Sequence, residues 1–202
     1  MIRILALDTT GECASIALIG DGEVIEEARL ESTDGFAHVL FPAIEQLLAR
    51  HAIAIRDIDF FAAASGPGSF TGVRVGLTAV KGLAEATGRK VIAVSNLRAV
   101  ASLGSGPLRA VAIDARRGEI FGAVYDDRLR VVCGEVVMRF EDWKASLPAG
   151  VEMITPQPSI TLAAAIGKIA AERIESAEDP AAIDANYVRR SDAELYWKDQ
   201  VR

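Results

Sequence analysis

The sequence contains few of the residues on which metal and redox sites depend. Its 202 residues include two histidines and two cysteines. Cys13 and Cys133 lack the close spacing of a zinc knuckle or a redox motif, so we expect both to be small core residues in a reducing compartment. No pair of histidines or cysteines lies at turn or helical spacing, which argues against a catalytic metal site.

Long apolar runs and an excess of basic residues are also missing. The longest apolar runs, residues 60–64 and 162–166, are far shorter than the roughly 18 residues of a membrane span. The apolar N-terminal run is interrupted at Asp8 and no cleavage site follows, so we expect no secretion signal and a cytoplasmic location. The net charge of -6 is shared equally by the two halves and does not favour a protein that grips nucleic acid alone.

What the chain does have is the composition and patterning of a globular α/β protein. Half of its residues are apolar, and glycine and proline are near average usage, which excludes disordered and collagen-like chains. The glycine- and proline-rich segment Gly104-Ser-Gly-Pro107 is the clearest domain boundary in the sequence. It predicts an N-terminal domain over 1–103 and a smaller domain over 104–202. Apolar runs predict strands over 2–7, 14–19, 23–30, 59–64, 90–94, 109–114, 119–125, 129–137 and 152–154. Helical spacing predicts helices over 36–48 (with Pro42 as an obstacle), 73–87, 95–103, 141–147 and 160–176.

The two predicted domains begin in the same way. An apolar strand ends in Asp8-Thr-Thr-Gly-Glu, and 106 residues later another ends in Asp114-Ala-Arg-Arg-Gly-Glu. If this is a true duplication, two Asp-bearing hairpins facing each other across a cleft would hold a metal-bound phosphate between their turn amides. Chance similarity of two polar turns remains the alternative at this point.

A glycine-rich loop, Ser65-Gly66-Pro67-Gly68-Ser69-Phe70-Thr71-Gly72, follows the strand over 59–64 and precedes a helix. Backbone amides at such a position attract anions. The loop lacks the Lys and the Ser/Thr of a P-loop, and Pro67 removes one amide from a dinucleotide fingerprint. No nucleophile elbow is present, and His38 and His51 are the only histidine bases available to a catalytic serine.

Small residues recur on one face of the helix that follows this loop. Gly72, Gly76 and Ala79 keep helical spacing, which fits either tight packing on the sheet or a helix seam with a partner. A seam predicts that Gly76→Leu blocks association and leaves the monomer folded. The apolar residues of the first helix would belong to the same partner interface: Phe36, Val39, Leu40 and Ile44.

Four segments together resemble the bacterial TsaB (YeaZ) family: the opening Ile-Leu-Ala-Leu-Asp8-Thr-Thr, the loop from Ser65 to Gly76, the stretch from Ala112 to Glu119, and Asn186-Tyr-Val-Arg-Arg190. The resemblance spans the chain, and the loop is shared with the related TsaD family. It implies an α/β fold of two duplicated actin-like, sugar-kinase-like (ribonuclease H-like) subdomains, of which the C-terminal one is reduced.

The resemblance also implies a function. TsaB proteins are non-catalytic partners of TsaD and the ATPase TsaE in forming N6-threonylcarbamoyladenosine at position 37 of tRNAs, and they form homodimers. Contact with tRNA is then indirect, and no cofactor is expected, apart from ATP or ADP at an interface with partners. Where TsaD-like enzymes have a metal-binding His-x3-His pair, this chain has Asn96 and Val100. Any phosphate site would be weak or vestigial, and its residues are Asp8, Thr9, Thr10, Asp114, Arg116 and Gly118.

Two alternatives to the adaptor remain. One is an autonomous small ATPase or kinase that uses Asp8 and Asp114, or a peptidase of the same superfamily. The other is direct tRNA binding through Arg128, Arg130 and Arg139, against which the acidic balance argues. The sequence does not place the segment from Tyr187 to Arg202.

Overall fold

The computed structural model describes residues 1–188, and its first half is built around a five-stranded sheet. The sheet has the order β3-β2-β1-β4-β5, in which β1 pairs antiparallel with β2 and parallel with β4. The strands are β1 (Arg3–Asp8), β2 (Ala14–Gly20), β3 (Glu23–Leu30), β4 (Phe60–Gly66) and β5 (Lys90–Ser95). Asp21 and Gly22 join β2 to β3, and both have the positive φ that a two-residue hairpin turn requires.

The second sheet repeats this plan with one strand fewer. Its order is β8-β7-β6-β9, where β6 pairs antiparallel with β7 and parallel with β9, as β1 does with β2 and β4. The strands are β6 (Leu108–Arg116), β7 (Glu119–Asp126), β8 (Val131–Arg139) and β9 (Glu152–Ile154). The fold is therefore the predicted pair of duplicated actin-like α/β units with a reduced C-terminal copy, and Asp8 and Asp114 lie near the ends of equivalent strands.

Helices cover both faces of the first sheet. The α-helices of the described residues are α1 (Ala37–Arg50), α2 (Phe70–Thr87), α3 (Asn96–Ala101), α4 (Phe140–Ser146) and α5 (Ala163–Ala171), and all of them except α4 pack on the first sheet. The alternate residues of β1 explain the two layers, since Leu5 and Leu7 pack with α1 and α2, whereas Ile4 and Ala6 pack with α3 and α5. A smaller core around Trp143 joins α4 to the second sheet.

The helix α5 follows the second sheet in sequence and packs against the first. Its N-terminal amides are bonded by groups of the first sheet: Ala163 N–H donates to Ser15 Oγ and Ala164 N–H to Glu27 Oε1, each at 3.0 Å. This explains why α5 begins later than the predicted residue 160. It also ends earlier, at Ala171, and a separate short turn covers Ile174–Ser176.

Three further expectations differ from the structure. The helix α2 begins at Phe70 rather than Val73, because Ser69 Oγ accepts a hydrogen bond from Gly72 N–H (3.2 Å) and caps the helix three residues earlier. Pro42 lies inside α1, which begins at Ala37 and runs past it. Cys13 is buried as expected, but the expectation that Cys133 is a core residue is wrong, since it is exposed on the edge strand β8.

Within the described residues, no helix has the length and apolar character needed to cross a membrane. The boundary between residues 103 and 104 stays a prediction about independent domains. The two sheets do lie on either side of it in the sequence.

Candidate functional site

A cleft of about 1000 Å³ lies where the ends of β1 and β6 meet. Its walls come from the β1–β2 turn, the glycine-rich loop, the β6–β7 hairpin, the segment over 155–162 and the last described residues, 186–188. Four of the six predicted phosphate-site residues line it, namely Asp8, Thr10, Asp114 and Arg116. The structure therefore brings the two Asp-bearing turns to one cleft.

Asp8 lies on the floor of the cleft and is 2% exposed. Its Oδ1 atom accepts hydrogen bonds from the Thr10 backbone N–H (2.9 Å) and the Thr10 hydroxyl (2.6 Å). Burial raises the pKa of Asp8 above its ordinary value, because an apolar surrounding disfavours the charged form, and the Thr10 hydrogen bonds offset part of this.

Asn96 cross-links three segments of the floor. Its side-chain N–H donates to the Thr10 hydroxyl (2.5 Å), and its Oδ1 accepts from the Gly66 backbone N–H (2.9 Å). The residue is 2% exposed and is held at the start of α3. Both ends of the amide are therefore used inside the chain, joining the β1 turn to the glycine-rich loop.

The glycine-rich loop packs closely on the β1–β2 turn. Ser69 N–H donates to the Thr10 carbonyl (2.9 Å), and the Thr9 hydroxyl donates to the Gly72 carbonyl (2.6 Å). A Cβ atom at Gly72 would collide with the Thr9 carbonyl oxygen, and one at Gly76 would lie 2.8 Å from Thr9 Oγ1. Thr9 thus faces α2 rather than the cleft, and two of the small residues of α2 are required for this contact.

The second turn is open to solvent. Asp114 Oδ1 accepts from the Arg116 backbone N–H (2.8 Å), and the Arg116 guanidinium lies 3.4 Å from Asp114 Oδ2 with both side chains exposed. Gly118 lies at the tip of this hairpin, outside the cleft, and has a positive φ together with Arg116 and Arg117. The duplicated turns are therefore unequal, since the first is buried and bonded and the second is solvated.

Most of the residues predicted at a partner interface pack inside the chain. Leu40 and Ile44 belong to the core between α1 and the sheet, Gly72, Gly76 and Ala79 are buried, and Phe36 and Val39 are partly buried. The effect of Gly76→Leu stays a prediction, and the structure gives a reason for it to disturb folding as well as association, because the added side chain would meet Thr9. The interface itself stays a prediction.

Sequence reasoning missed two features of this region. Phe41 is about half exposed (51%) on α1, one position from the predicted Leu40, and helical spacing alone does not fix which neighbour faces outward. Asn186 and Tyr187 form part of the cleft wall, although the sequence quoted them only as part of a motif. The rest of that motif, Arg189 and Arg190, lies outside the described residues.

The residues of the cleft do not fit a histidine-bound metal. Asn96 and Val100 both line the cleft at the places where a His-x3-His pair would be expected. Over residues 1–188, no group of three or more His, Cys, Asp or Glu side chains has an arrangement that could hold a metal ion. We therefore derive no chemistry through a metal at this site.

Comparison with known proteins identifies relatives in sequence. The family model described as "TsaD: tRNA N6-adenosine threonylcarbamoyltransferase" matches residues 31–177. The Haemophilus influenzae "tRNA threonylcarbamoyladenosine biosynthesis protein TsaB" is 36% identical over 148 residues, which is 71% of this chain and 61% of that protein. The Escherichia coli protein of the same name is 38% identical over 128 residues, covering 61% of this chain and 55% of that protein. The chain thus spans about 60% of the length of these relatives.

Solved structures agree with this relationship over nearly the whole chain. A Pseudomonas aeruginosa structure, titled an uncharacterized protein with similarity to peptidase YEAZ, has a TM-score of 0.78 at 27% identity. The match covers 94% of this chain and 100% of that one. A second structure, "YeaZ from Pseudomonas aeruginosa", has the same TM-score at 25% identity, with 93% and 100% covered. The chain therefore belongs to the TsaD-related family of tRNA threonylcarbamoyladenosine proteins, on its TsaB (YeaZ) branch.

Proposed function

We propose that this chain is a non-catalytic adaptor that acts with TsaD and TsaE in forming N6-threonylcarbamoyladenosine at position 37 of tRNAs. The names of its TsaB relatives support a role in this modification. We further propose a cytoplasmic location, a homodimer in isolation, and contact with tRNA only through the complex.

The bonding of the cleft floor carries the non-catalytic part of the proposal. Asp8 Oδ1 is bonded to Thr10, Thr10 to Asn96, and Asn96 to Gly66, so these polar groups form a connected network inside the chain. A buried network of this kind fixes local structure when its members are paired. The floor therefore serves to hold the β1 turn, the glycine-rich loop and α3 together, and any anion site beside it is weak.

The exposed sides of α1 and α2 are the surface that we assign to a protein partner. Both helices pack on the same face of the first sheet, so their outer sides lie on one side of the molecule. Phe41 is half exposed on α1, and Thr71, Thr78 and Gly82 are exposed on α2. Aromatic side chains anchor many interfaces, and small residues allow a partner helix to approach closely. A stable seam of this kind should bury at least roughly 1,000 Å² in total.

Reconstitution tests the proposal. TsaD, TsaE and tRNA are incubated with ATP and an activated threonylcarbamoyl donor, with and without this chain, and modified adenosine is measured by mass spectrometry. The adaptor role predicts modification only when the chain is present, and no ATP hydrolysis by the chain alone. Equal modification without the chain would overturn the proposal.

One observation favours testing the alternative that this chain is itself an enzyme. Asp8 and Asp114 line the same cleft, as a small ATPase or kinase would require. If the isolated chain hydrolyses ATP, and Asp8→Asn combined with Asp114→Asn stops this, the chain is an enzyme. Cleavage of peptide substrates by the isolated chain would favour the peptidase alternative in the same way.

A further inference from the structure

The last described residues of the chain run along the outside of α2 and end at the cleft. Lys81 Nζ donates a hydrogen bond to the Ile183 carbonyl (2.6 Å), and the Ile183 side chain is buried in the core with α2. Farther along, Asn186, Tyr187 and Val188 line the cleft. We call residues 183–188 the strap. It contains no helix or strand, so its position depends on individual contacts.

Asn186 connects the strap to both sheets. Its backbone N–H donates to the Ser65 carbonyl in β4 (2.8 Å), and its side-chain N–H donates to Glu135 Oε2 in β8 (2.6 Å). The Asn186 carbonyl also lies beside Gly66, where a Cβ atom would approach it to 3.2 Å. One residue of the strap is therefore bonded to the first sheet, to the second sheet, and lies against the glycine-rich loop.

Glu135 is the centre of these contacts. Its Oε1 atom accepts hydrogen bonds from the Ser95 hydroxyl (2.5 Å) and from the Tyr125 hydroxyl (3.3 Å). The Ser95 oxygen also accepts from Leu97 N–H (3.2 Å), so the same hydroxyl caps α3. Hydrogen bonds to a carboxylate are about twice as strong as those between neutral groups. Glu135 thus joins β8, β7, the start of α3 and the strap.

Beyond Asn186 the strap is held by exposed groups. The Tyr187 ring packs against Phe70 with 5.7 Å between centroids, and the Tyr187 hydroxyl accepts from Arg74 Nε (3.1 Å). Phe70 and Tyr187 are 50% and 48% exposed. Solvent competes with polar contacts at such exposed positions, so the Arg74–Tyr187 hydrogen bond is weaker than one in the interior. The hydrogen bond between Asn186 and Glu135 is partly buried, so it is better protected from solvent than the side-chain contacts of Tyr187.

We propose that the strap is a movable wall of the cleft and that Glu135 is the positioning residue that keeps it closed. Opening breaks the bonds of Asn186 to Glu135 and to Ser65, so that residues 186–188 swing away while Ile183 and Ala185 stay packed on the core as the pivot. Such local opening costs less free energy than global unfolding. The same movement widens the cleft beside the glycine-rich loop and uncovers Phe70 and Arg74 at the start of α2. This inference does not depend on the adaptor role.

Hydrogen–deuterium exchange of the full chain tests the strap. Asn186→Asp places a carboxylate against Glu135, and peptides covering 183–188 and 62–70 should exchange at least about tenfold faster, as expected for the loss of a hydrogen bond to a charged group. Glu135→Gln combined with Asn186→Asp reverses donor and acceptor. The new glutamine N–H can donate to the aspartate while its oxygen still accepts from Ser95. Exchange in the double variant should return to within about threefold of the wild type.

Glu141→Gln is the matched control, because it neutralises an exposed carboxylate at the start of α4. It should leave exchange at both peptides unchanged. Circular dichroism and urea unfolding of each variant show whether the fold is retained. Wild-type exchange in Asn186→Asp, or no recovery in a folded double variant, would overturn the proposal.

Discussion

The carboxylate of Glu27 in β3 caps the helix α5, whose second residue, Ala164, lies 137 residues later in the chain. Its Oε1 atom accepts from the Ala164 backbone N–H (3.0 Å), and its Oε2 atom accepts from the Thr161 hydroxyl (3.1 Å). The edge strand of the first sheet therefore supplies the N-terminal cap of a helix that follows the second sheet. This contact, with that of Ser15, helps to hold the two halves of the chain together.

Glu27→Ala should lower the free energy of unfolding by about 1–2 kcal/mol, the usual effect of removing a helix N-cap. The partly buried Ala164 amide would lose its acceptor. Glu23→Ala on the same strand is the control, because the ion pair of Glu23 with Lys168 (3.2 Å) is exposed and its loss should change stability by less than about 1 kcal/mol. Urea unfolding of the two variants measures the difference. Equal effects would show that the cap contributes nothing.

Replacement of two glycines of α2 by alanine should change the stability of the protein in opposite directions. Gly72→Ala forces a Cβ atom against the Thr9 carbonyl and should destabilise the protein by about 1–3 kcal/mol. Gly82 is exposed with nothing within 4 Å of an added Cβ atom, so Gly82→Ala should stabilise it by up to about 1 kcal/mol through helix propensity. Thermal unfolding measures both changes. Tolerance of alanine at position 72 would contradict the close packing of α2 on the β1 turn.

The buried Asp8 should make stability fall as pH rises. Burial raises the pKa of Asp8 in the folded protein above the unfolded value of about 3.9. At a pH between these two pKa values, the folded state therefore binds more protons than the unfolded state. The contribution is complete below the unfolded pKa and is lost as pH rises through the folded pKa. Asp8→Asn keeps an oxygen that can accept from Thr10 and has no charge to bury, so it should be more stable relative to wild type at pH 7 than at pH 4. Urea unfolding at the two pH values checks this. An advantage that does not grow with pH would contradict it.

Substitutions at two adjacent residues of α1 should have different effects, one on the stability of the fold and the other on association with a partner. Leu40 is buried in the core, and Leu40→Ala should cost about 2–5 kcal/mol of stability. Phe41 is half exposed, so Phe41→Ala should change stability by less than about 1 kcal/mol and weaken binding to TsaD, or self-association, at least about tenfold. Analytical ultracentrifugation and calorimetry measure these quantities. Unchanged association of Phe41→Ala would remove α1 from the partner surface.

Local signals in the sequence predicted most of the fold. The strand-loop-helix unit around the glycine-rich loop depends on neighbouring residues, and the structure confirms it. The repeat of Asp8 and Asp114 predicted two equivalent turns, because similar strand ends fold similarly. The resemblance to a duplicated family then gave the arrangement of the two sheets.

Contacts between distant segments could not be predicted in this way. Nothing near Glu27 in the sequence indicates that it caps α5. Small residues at helical spacing fit a buried face and an exposed face equally well, so Gly72 and Gly76 did not reveal their contact with Thr9. Glu135 and Asn186 are ordinary polar residues in sequence and are joined only by the fold.

We propose that this chain contributes surface rather than catalytic carboxylates to tRNA modification. The most direct measurement is the rate of modified adenosine formation with TsaD and TsaE when wild-type chain is replaced by the Asp8→Asn, Asp114→Asn double variant or by Phe41→Ala. We expect a wild-type rate for the double variant and a loss of at least about tenfold for Phe41→Ala at subsaturating concentrations. A double variant that is folded and bound to TsaD but inactive would contradict it.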